Sequence, residues 1–388
     1  MRDGSMKCFK YTFSYLKFFF IFLVSGCTGI NIHQVVVLSG DDWVMSGGNT
    51  EQQYRSKSII SPQFQLLWTY NCDAGFGPSC VSAADAMVFV NTLQGEMHCV
   101  DISSGGKIGQ LNFLGKEAST TPSIDENKLI LAFAGDNRRS LVCYDMLNGM
   151  NIWRINIGYL QTSPILSDNY IYIGSLDGKE YKISKLNGSI IWDYNTRSQI
   201  HSTAALYDNK VVFGADNGYI YCINTDGGSE FWKYKTDGSV ITTPMIFDKK
   251  VFIGSFDSNY YCLDVDSGKV IWKQDLKTRM TAGSTLFDSN TVIFGGVDGI
   301  LYALNTSNGE IKWKFPTKAV ITSTPLSAGD YVYFSSHDWH IYCLNGYDGK
   351  ELWNYELDGR GKTSPVIWSN FLFVTADKYL YCFEGNKK

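Results

Sequence analysis

"LYALNTSNGEIKWKF" (residues 301–315) holds two short runs of aromatic and aliphatic residues, joined by an Asn/Thr/Ser/Gly turn and closed by Trp313. The pattern predicts a β-hairpin, because alternation at a period of two suits a strand and small polar residues suit the turn. Much the same stretch recurs down the chain. Aligned on the turn glycine, "DMLNGMNIW" leads to Trp153, "SKLNGSIIW" to Trp192, "NTDGGSEFW" to Trp232, "DVDSGKVIW" to Trp272 and "NGYDGKELW" to Trp353, with successive tryptophans 39 to 41 residues apart. Upstream, "DISSGGKIGQ" fits the frame with Gln110 in the tryptophan's place, and "FQLLWTY" puts Trp68 earlier still. A period near 40 residues marks a repeat architecture, here with eight positions in the column.

Each repeat carries four strand signals and no helical pattern; after Trp232 they read "SVITTPMIF", "KKVFIGS", "NYYCLDV" and "KVIWKQD". The second and third are nearly unbroken apolar runs, as expected of strands covered on both faces. A four-stranded antiparallel sheet of this size, flanked by copies of itself, is a propeller blade. The expected fold is therefore all-β, an eight-bladed β-propeller, with seven blades as the alternative if the Gln110 unit is degenerate. The repeat region opens with a lone fourth strand, "FQLLWTY", and ends with a lone first three, "KTSPVIW", "NFLFVTA" and "KYLYCFEG". Pairing them completes the eighth blade and removes two exposed sheet edges. The tryptophan column (Trp68, Trp153, Trp192, Trp232, Trp272, Trp313 and Trp353) is expected to dock blade on blade, since a ligand stack needs one or two such rings and not seven.

The propeller is assigned to residues 64–385, with a tail at 386–388 and an irregular lead-in at 28–63. Residues 1–27 differ from the rest: Lys7, Lys10 and Lys17 precede the apolar run "FFFIFLV" and then "SGC", the layout of an export signal too short to span a bilayer comfortably. Val24-Ser25-Gly26-Cys27 resembles the bacterial lipobox, which implies a lipid on Cys27; an ordinary cleaved signal and a short uncleaved anchor are the alternatives. If the resemblance holds, Thr28 after that cysteine favours the outer membrane. With 34 Lys+Arg against 38 Asp+Glu, the net charge of −4 offers no attraction to polyphosphate, so nucleic acid is not an expected partner.

The turn-to-tryptophan segments resemble the docking repeats of the PQQ-binding-like, or quinoprotein-type, β-propeller superfamily. "DDWVMSGGNTEQQYRSKSI" (residues 41–59) is similar to the lead-in found before the first strand in that superfamily. Quinoprotein enzymes of this type hold PQQ and Ca²⁺ with acidic and amide ligands on long central loops, often beside a disulfide between adjacent cysteines. This chain has short connections and no Cys-Cys pair, so no cofactor is expected. Size, export signal, lipobox and repeats also resemble the BamB family of outer-membrane assembly lipoproteins, which implies a non-catalytic, monomeric scaffold that binds protein partners on the periplasmic side. Members carry a Leu-Arg-Gly segment that binds the barrel subunit, and this sequence has none. A PQQ- or quinone-dependent oxidoreductase, or a small-ligand-binding propeller, is the rival.

Cysteines at Cys99, Cys143, Cys222, Cys262, Cys343 and Cys382 share one third-strand column, so bridges between blades are too long and the thiols are expected to be small core fillers. Only Cys72 and Cys80 lie close enough in sequence to bridge, with two free thiols as the alternative. His337 and His340 in "HDWH" fall where other blades place a turn, and no ligand set at metal spacing appears. A column of hydroxyls (Thr121, Ser163, Thr203, Thr243, Thr324, Ser364) stands at the entry to the first strands, five of them followed by proline. It either fixes strand entry or lines the axial channel. In the second case Gln161, His201, Arg279, Lys318, Arg360 and Lys362 near one mouth form a candidate site for a polar or anionic ligand or a partner's peptide.

Overall fold

In the computed structural model, residues 29–78, 81–113, 117–134 and 140–387 are described. Among them, 32 strands pair into eight antiparallel four-stranded sheets, with no helix. Blades one to seven occupy residues 81–112, 123–155, 165–195, 205–235, 245–275, 284–316 and 326–356. Blade eight is built from both ends of the repeat region. Its outer strand Ile60–Asn71 pairs with Tyr379–Lys387, followed inward by Phe371–Ala376 and Val366–Trp368. The inner strands of blades one and eight touch each other, as those of sequence neighbours do, so the ring is closed.

Burial follows strand position within the blade. Second and third strands such as Lys250–Gly254 and Asn259–Asp264 are buried along their whole middle, whereas the outer strand Val270–Asp275 buries one residue, Trp272. That indole is the wedge between blades. The indole N–H groups of Trp68, Trp153, Trp192, Trp232, Trp272 and Trp313 donate to the carbonyls of Ile102, Lys185, Thr225, Val265, Thr306 and Gly346 in the following blade, at 2.8–3.1 Å. The turn glycine of that following blade lies against the ring. At Gly268 the backbone is left-handed (φ 68°), and a Cβ would stand 2.6 Å from Trp232. Glycine is required there twice over, by conformation and by contact. Trp353 faces blade eight, where this turn is replaced by the two ends of the repeat region, and packs edge-on against Phe64 (4.8 Å) and Phe383 (5.6 Å).

The pairing register corrects the placement of Gln110. Cys222 faces Trp232 and Cys343 faces Trp353 across the outer pair of strands, and the residue facing Cys99 is Gly109. Blade one therefore presents no side chain where the others present an indole. Residues 29–32 fill the vacancy: Ile30 and Ile32 are buried, and a Cβ on Gly109 would lie 2.6 Å from the Gly29 carbonyl oxygen. The Ile32 N–H donates to the Met146 carbonyl (2.9 Å), the acceptor that an indole would use. The Tyr144 hydroxyl fixes Ile30 further by donating to its carbonyl (2.8 Å).

The lead-in then circles the axis. Trp43 bridges to Ala83 of blade one, and the carbonyls of Val44, Thr50, Glu51, Gln53 and Tyr54 accept from Ile124, Leu206, Ile246, Leu286 and Ser327 on the inner strands of blades two, four, five, six and seven. These inner edges, which face no neighbouring strand, thus find backbone acceptors along one irregular segment. Trp43 packs at 6.0 Å from Tyr54, whose hydroxyl is 2.8 Å from Ser46 Oγ, so the interior of the ring is filled at this level.

The third-strand cysteines are buried, and burial pushes the thiols of Cys143, Cys222, Cys262 and Cys343 up to about 12. They are inert fillers beside the indole of their own blade. Cys72 is buried; Cys80 lies outside the described residues, and with it the question of a bridge. Cys27 and the export-signal reading fall outside them as well.

Candidate functional site

Because the strands are antiparallel, the turns between second and third strands and the connections between blades share one end of the ring. Each inner strand runs away from that end, so the hydroxyl column comes first along it and the lead-in contacts lie deeper. The column ties blade to blade. Thr121 N–H donates to Ser163 Oγ (3.0 Å), Ser163 N–H to Thr203 Oγ1 (3.1 Å), Gly283 N–H to Thr324 Oγ1 (3.0 Å) and Thr324 N–H to Ser364 Oγ (3.0 Å). The Ser364 N–H completes the series on the Pro78 carbonyl (3.1 Å). These hydroxyls accept from the preceding blade, a structural use of the ring that leaves each O–H to point elsewhere.

Above them lies a small axial pit of about 70 Å³ with Gln161, His201, Ile241, Thr281 and Thr322 on its wall. His201 Nδ1 is 3.0 Å from Asp216 Oδ1, and Thr322 Oγ1 is 2.9 Å from His337 Nε2. The six residues marked out as a mouth cluster do not share one cavity. Gln161 and His201 meet in the pit. Arg279 lies over the ring of Phe256 (5.6 Å), and the Lys318 N–H donates to Asp338 Oδ2 (3.0 Å).

Arg360 and Lys362 line a separate and larger cleft of about 380 Å³, where blades seven, eight and one meet. Phe76, Leu93 and Trp339 give it apolar walls, and Asp358 and Asp377 complete its polar lining. Tyr381 donates its hydroxyl hydrogen to Asp358 Oδ2 (2.8 Å). Among the described residues, neither Arg360 nor Lys362 has an ion-pair partner within 4 Å. Both act on His337: burial first, then the charges of Lys362 and Arg360, lower its pKa below the usual histidine value. Trp339, in the "HDWH" turn, was not among the residues that sequence reasoning marked out. Its signal was present, because blades one, three, four and six put Gly95, Gly178, Gly218 and Gly299 at the same turn position.

A family model described as outer membrane protein assembly factor BamB matches residues 112–194 and 183–384, well over half of the chain. The chain belongs to the BamB family. Among solved structures, BamB from Moraxella catarrhalis superposes with a TM-score of 0.69 at 16% identity, covering 83% of this chain and 99% of that one. The quinohemoprotein alcohol dehydrogenase of Comamonas testosteroni gives a TM-score of 0.73 at 12% identity, covering 90% and 81%. A europium-containing methanol dehydrogenase gives 0.75 at 11%, covering 89% and 98%. At such identities the likeness is one of fold. A curated relative, the beta-alanine-activating enzyme of Danio rerio, is 29% identical over 72 residues, 19% of this chain and 6% of that protein.

The dehydrogenase neighbours raise the question of a quinone cofactor, and the residues present do not fit one. The axial pit is several times smaller than the roughly 300 Å³ at which small-molecule pockets begin. Hydroxyls and one imidazole line it, with no carboxylate among the described residues of its lining. Among the described residues, no group of three or more His, Cys, Asp or Glu is placed to hold a metal ion. The cleft is large enough, but Tyr381 already engages one of its two carboxylates.

Proposed function

We propose that this BamB-family propeller is a non-catalytic scaffold that holds protein partners at the outer membrane, tethered by a lipid on Cys27 and working as a single ring on the periplasmic side. The observation that carries this reading is the loop-bearing end, where short connections on a closed ring hold a rigid cleft with an exposed indole and two cations that have no ion-pair partner among the described residues. Rigid, preformed surfaces lower the ordering cost of association. A lipid tether adds to this by raising the local concentration of the ring near membrane-bound partners.

The test is a pull-down from solubilised outer membrane with the full chain as bait, run beside a titration of the purified protein with PQQ and Ca²⁺. Recovery of a defined outer-membrane protein in stoichiometric amount, with an unchanged visible spectrum on titration, is the expected result. A stoichiometric PQQ spectrum together with alcohol-dependent dye reduction would replace the scaffold by the oxidoreductase. Intact-mass measurement of the envelope-derived protein checks the anchor separately, through the added diacylglyceryl mass on a chain beginning at Cys27.

A further inference from the structure

Trp339 is out of place by every local rule. It sits at φ 73°, where four other blades use glycine and a fifth uses Ser258, and a bulky side chain in the left-handed region is strained. The strain is not offset by deep burial, because 49% of the residue remains exposed. The seven column tryptophans lie between blades; this one stands on a turn at the edge of the largest cavity described, next to two cations, Arg360 and Lys362, of its lining. A strained, exposed indole on a rigid ring beside two cations has the character of an interface hot spot, where Trp and Arg dominate binding energy.

We propose that the cleft between blades seven, eight and one binds an extended polypeptide segment of a partner protein, taking an apolar or aromatic side chain against Trp339, Phe76 and Leu93 and a carboxylate of the same segment on Arg360 and Lys362. The proposal rests on the scaffold reading and names the place and chemistry of its contact. Charge selects the acid. The carboxylate of Asp358 is turned to Tyr381 and that of Asp377 makes no ion pair with either cation, so among the described residues the two cations carry no internal partner and burden His337 with their field. A ligand carboxylate would relieve that field in a site walled by apolar side chains, where charge-assisted hydrogen bonds are strong. The apolar walls then require a bulky side chain within a few residues of the acid. A bare anion leaves them uncovered.

The probe is a phage-displayed library of random dodecapeptides, selected on the full-length protein. Enriched peptides are expected to carry Asp, Glu or the free C-terminus within a few residues of an aromatic or large aliphatic side chain. Arg360→Ala with Lys362→Ala should weaken the best peptide at least tenfold, and Trp339→Gly should do the same. Thermal unfolding supplies the second readout: Trp339→Gly restores the residue used in the other blades, so its midpoint should stay level or rise while binding falls. No enrichment, enrichment of basic peptides, or binding indifferent to these substitutions overturns the proposal, and so does a fall in midpoint that accounts for the lost binding. If the envelope pull-down still recovers its partner with the Trp339→Gly, Arg360→Ala, Lys362→Ala protein, the scaffold stands and this cleft does not.

Discussion

Glu180 is fully buried in the third strand of blade three, at a position that blades four, six and seven fill with Ile220, Leu301 and Ile341. Among the described residues neither carboxyl oxygen has a hydrogen-bond partner, and burial raises its pKa well above the ordinary glutamate value. The sign of the consequence follows. In the unfolded chain the group ionises near pH 4.3, whereas in the folded ring it holds its proton to higher pH. Stability is therefore greatest below pH 4.3, as far as this residue goes, and falls by about 1.4 kcal/mol per pH unit until the folded group ionises. Glu180→Ile should raise stability at pH 7 by about 2 kcal/mol or more, the cost of burying an unsatisfied polar group, and the gain should shrink toward pH 4. Urea unfolding at pH 4.5, 6 and 7.5 checks this. A gain independent of pH would show that Glu180 ionises in the folded protein as it does in the unfolded chain. His201, by contrast, was legible in the sequence as a site candidate only because its column could be aligned; its contact with Asp216 comes from a turn in the same blade, where no spacing rule reveals it.

The docking hairpin joins one donor, one ring and one glycine into a unit, so its parts should fail by different amounts. Trp232→Phe keeps most of the apolar wedge and loses the bond to the Val265 carbonyl (2.9 Å), a cost of about 1 kcal/mol. Gly268→Ala adds a Cβ 2.6 Å from the same ring at φ 68°, combining backbone strain with overpacking, and should cost roughly 2–4 kcal/mol. Denaturant midpoints of the two variants give the order; equal losses would mean that the turn relaxes freely. The unit was plain in the sequence wherever one glycine preceded the tryptophan by four residues. It misled at Gly105-Gly106, where either glycine can anchor the alignment and only the left-handed backbone of Gly105 (φ 69°) selects the first. The replacement of the missing indole by residues 29–32 was not legible at all, since a backbone N–H from a non-repeating segment leaves no pattern. Gly109→Trp should expel that segment from the junction, with new protease cleavage within residues 29–38. An intact segment would show that the added ring points elsewhere.

At the scale of the ring, the ends of the repeat region announced closure because each lacked what the other had, whereas the circling lead-in did not announce itself. Its contacts run through the carbonyls of Val44, Thr50, Glu51, Gln53 and Tyr54, and a carbonyl is the same in every residue. The two cations of the cleft were visible as charges, but which cavity they line depends on how far blade eight closes against blade one. Closure is also where the molecule is most exposed to failure. The strand Tyr379–Lys387 buries Leu380, Tyr381, Cys382 and Phe383 and pairs on both sides, with Ile60–Asn71 and with Phe371–Ala376. Burying large apolar side chains of this kind contributes about 1.5–3 kcal/mol apiece, so the strand as a whole rivals the 5–15 kcal/mol that separates folded from unfolded domains. A chain ended at Asp377 leaves two unpaired edges facing each other across an empty lane. Each edge is a template for another chain, and the truncated protein should therefore populate swapped oligomers or aggregates in place of a monomeric ring. Size-exclusion chromatography with light scattering reads the outcome directly. A truncated chain that stayed monomeric with an undiminished unfolding midpoint would mean that the docked tryptophans and the lead-in hold seven blades in register without closure.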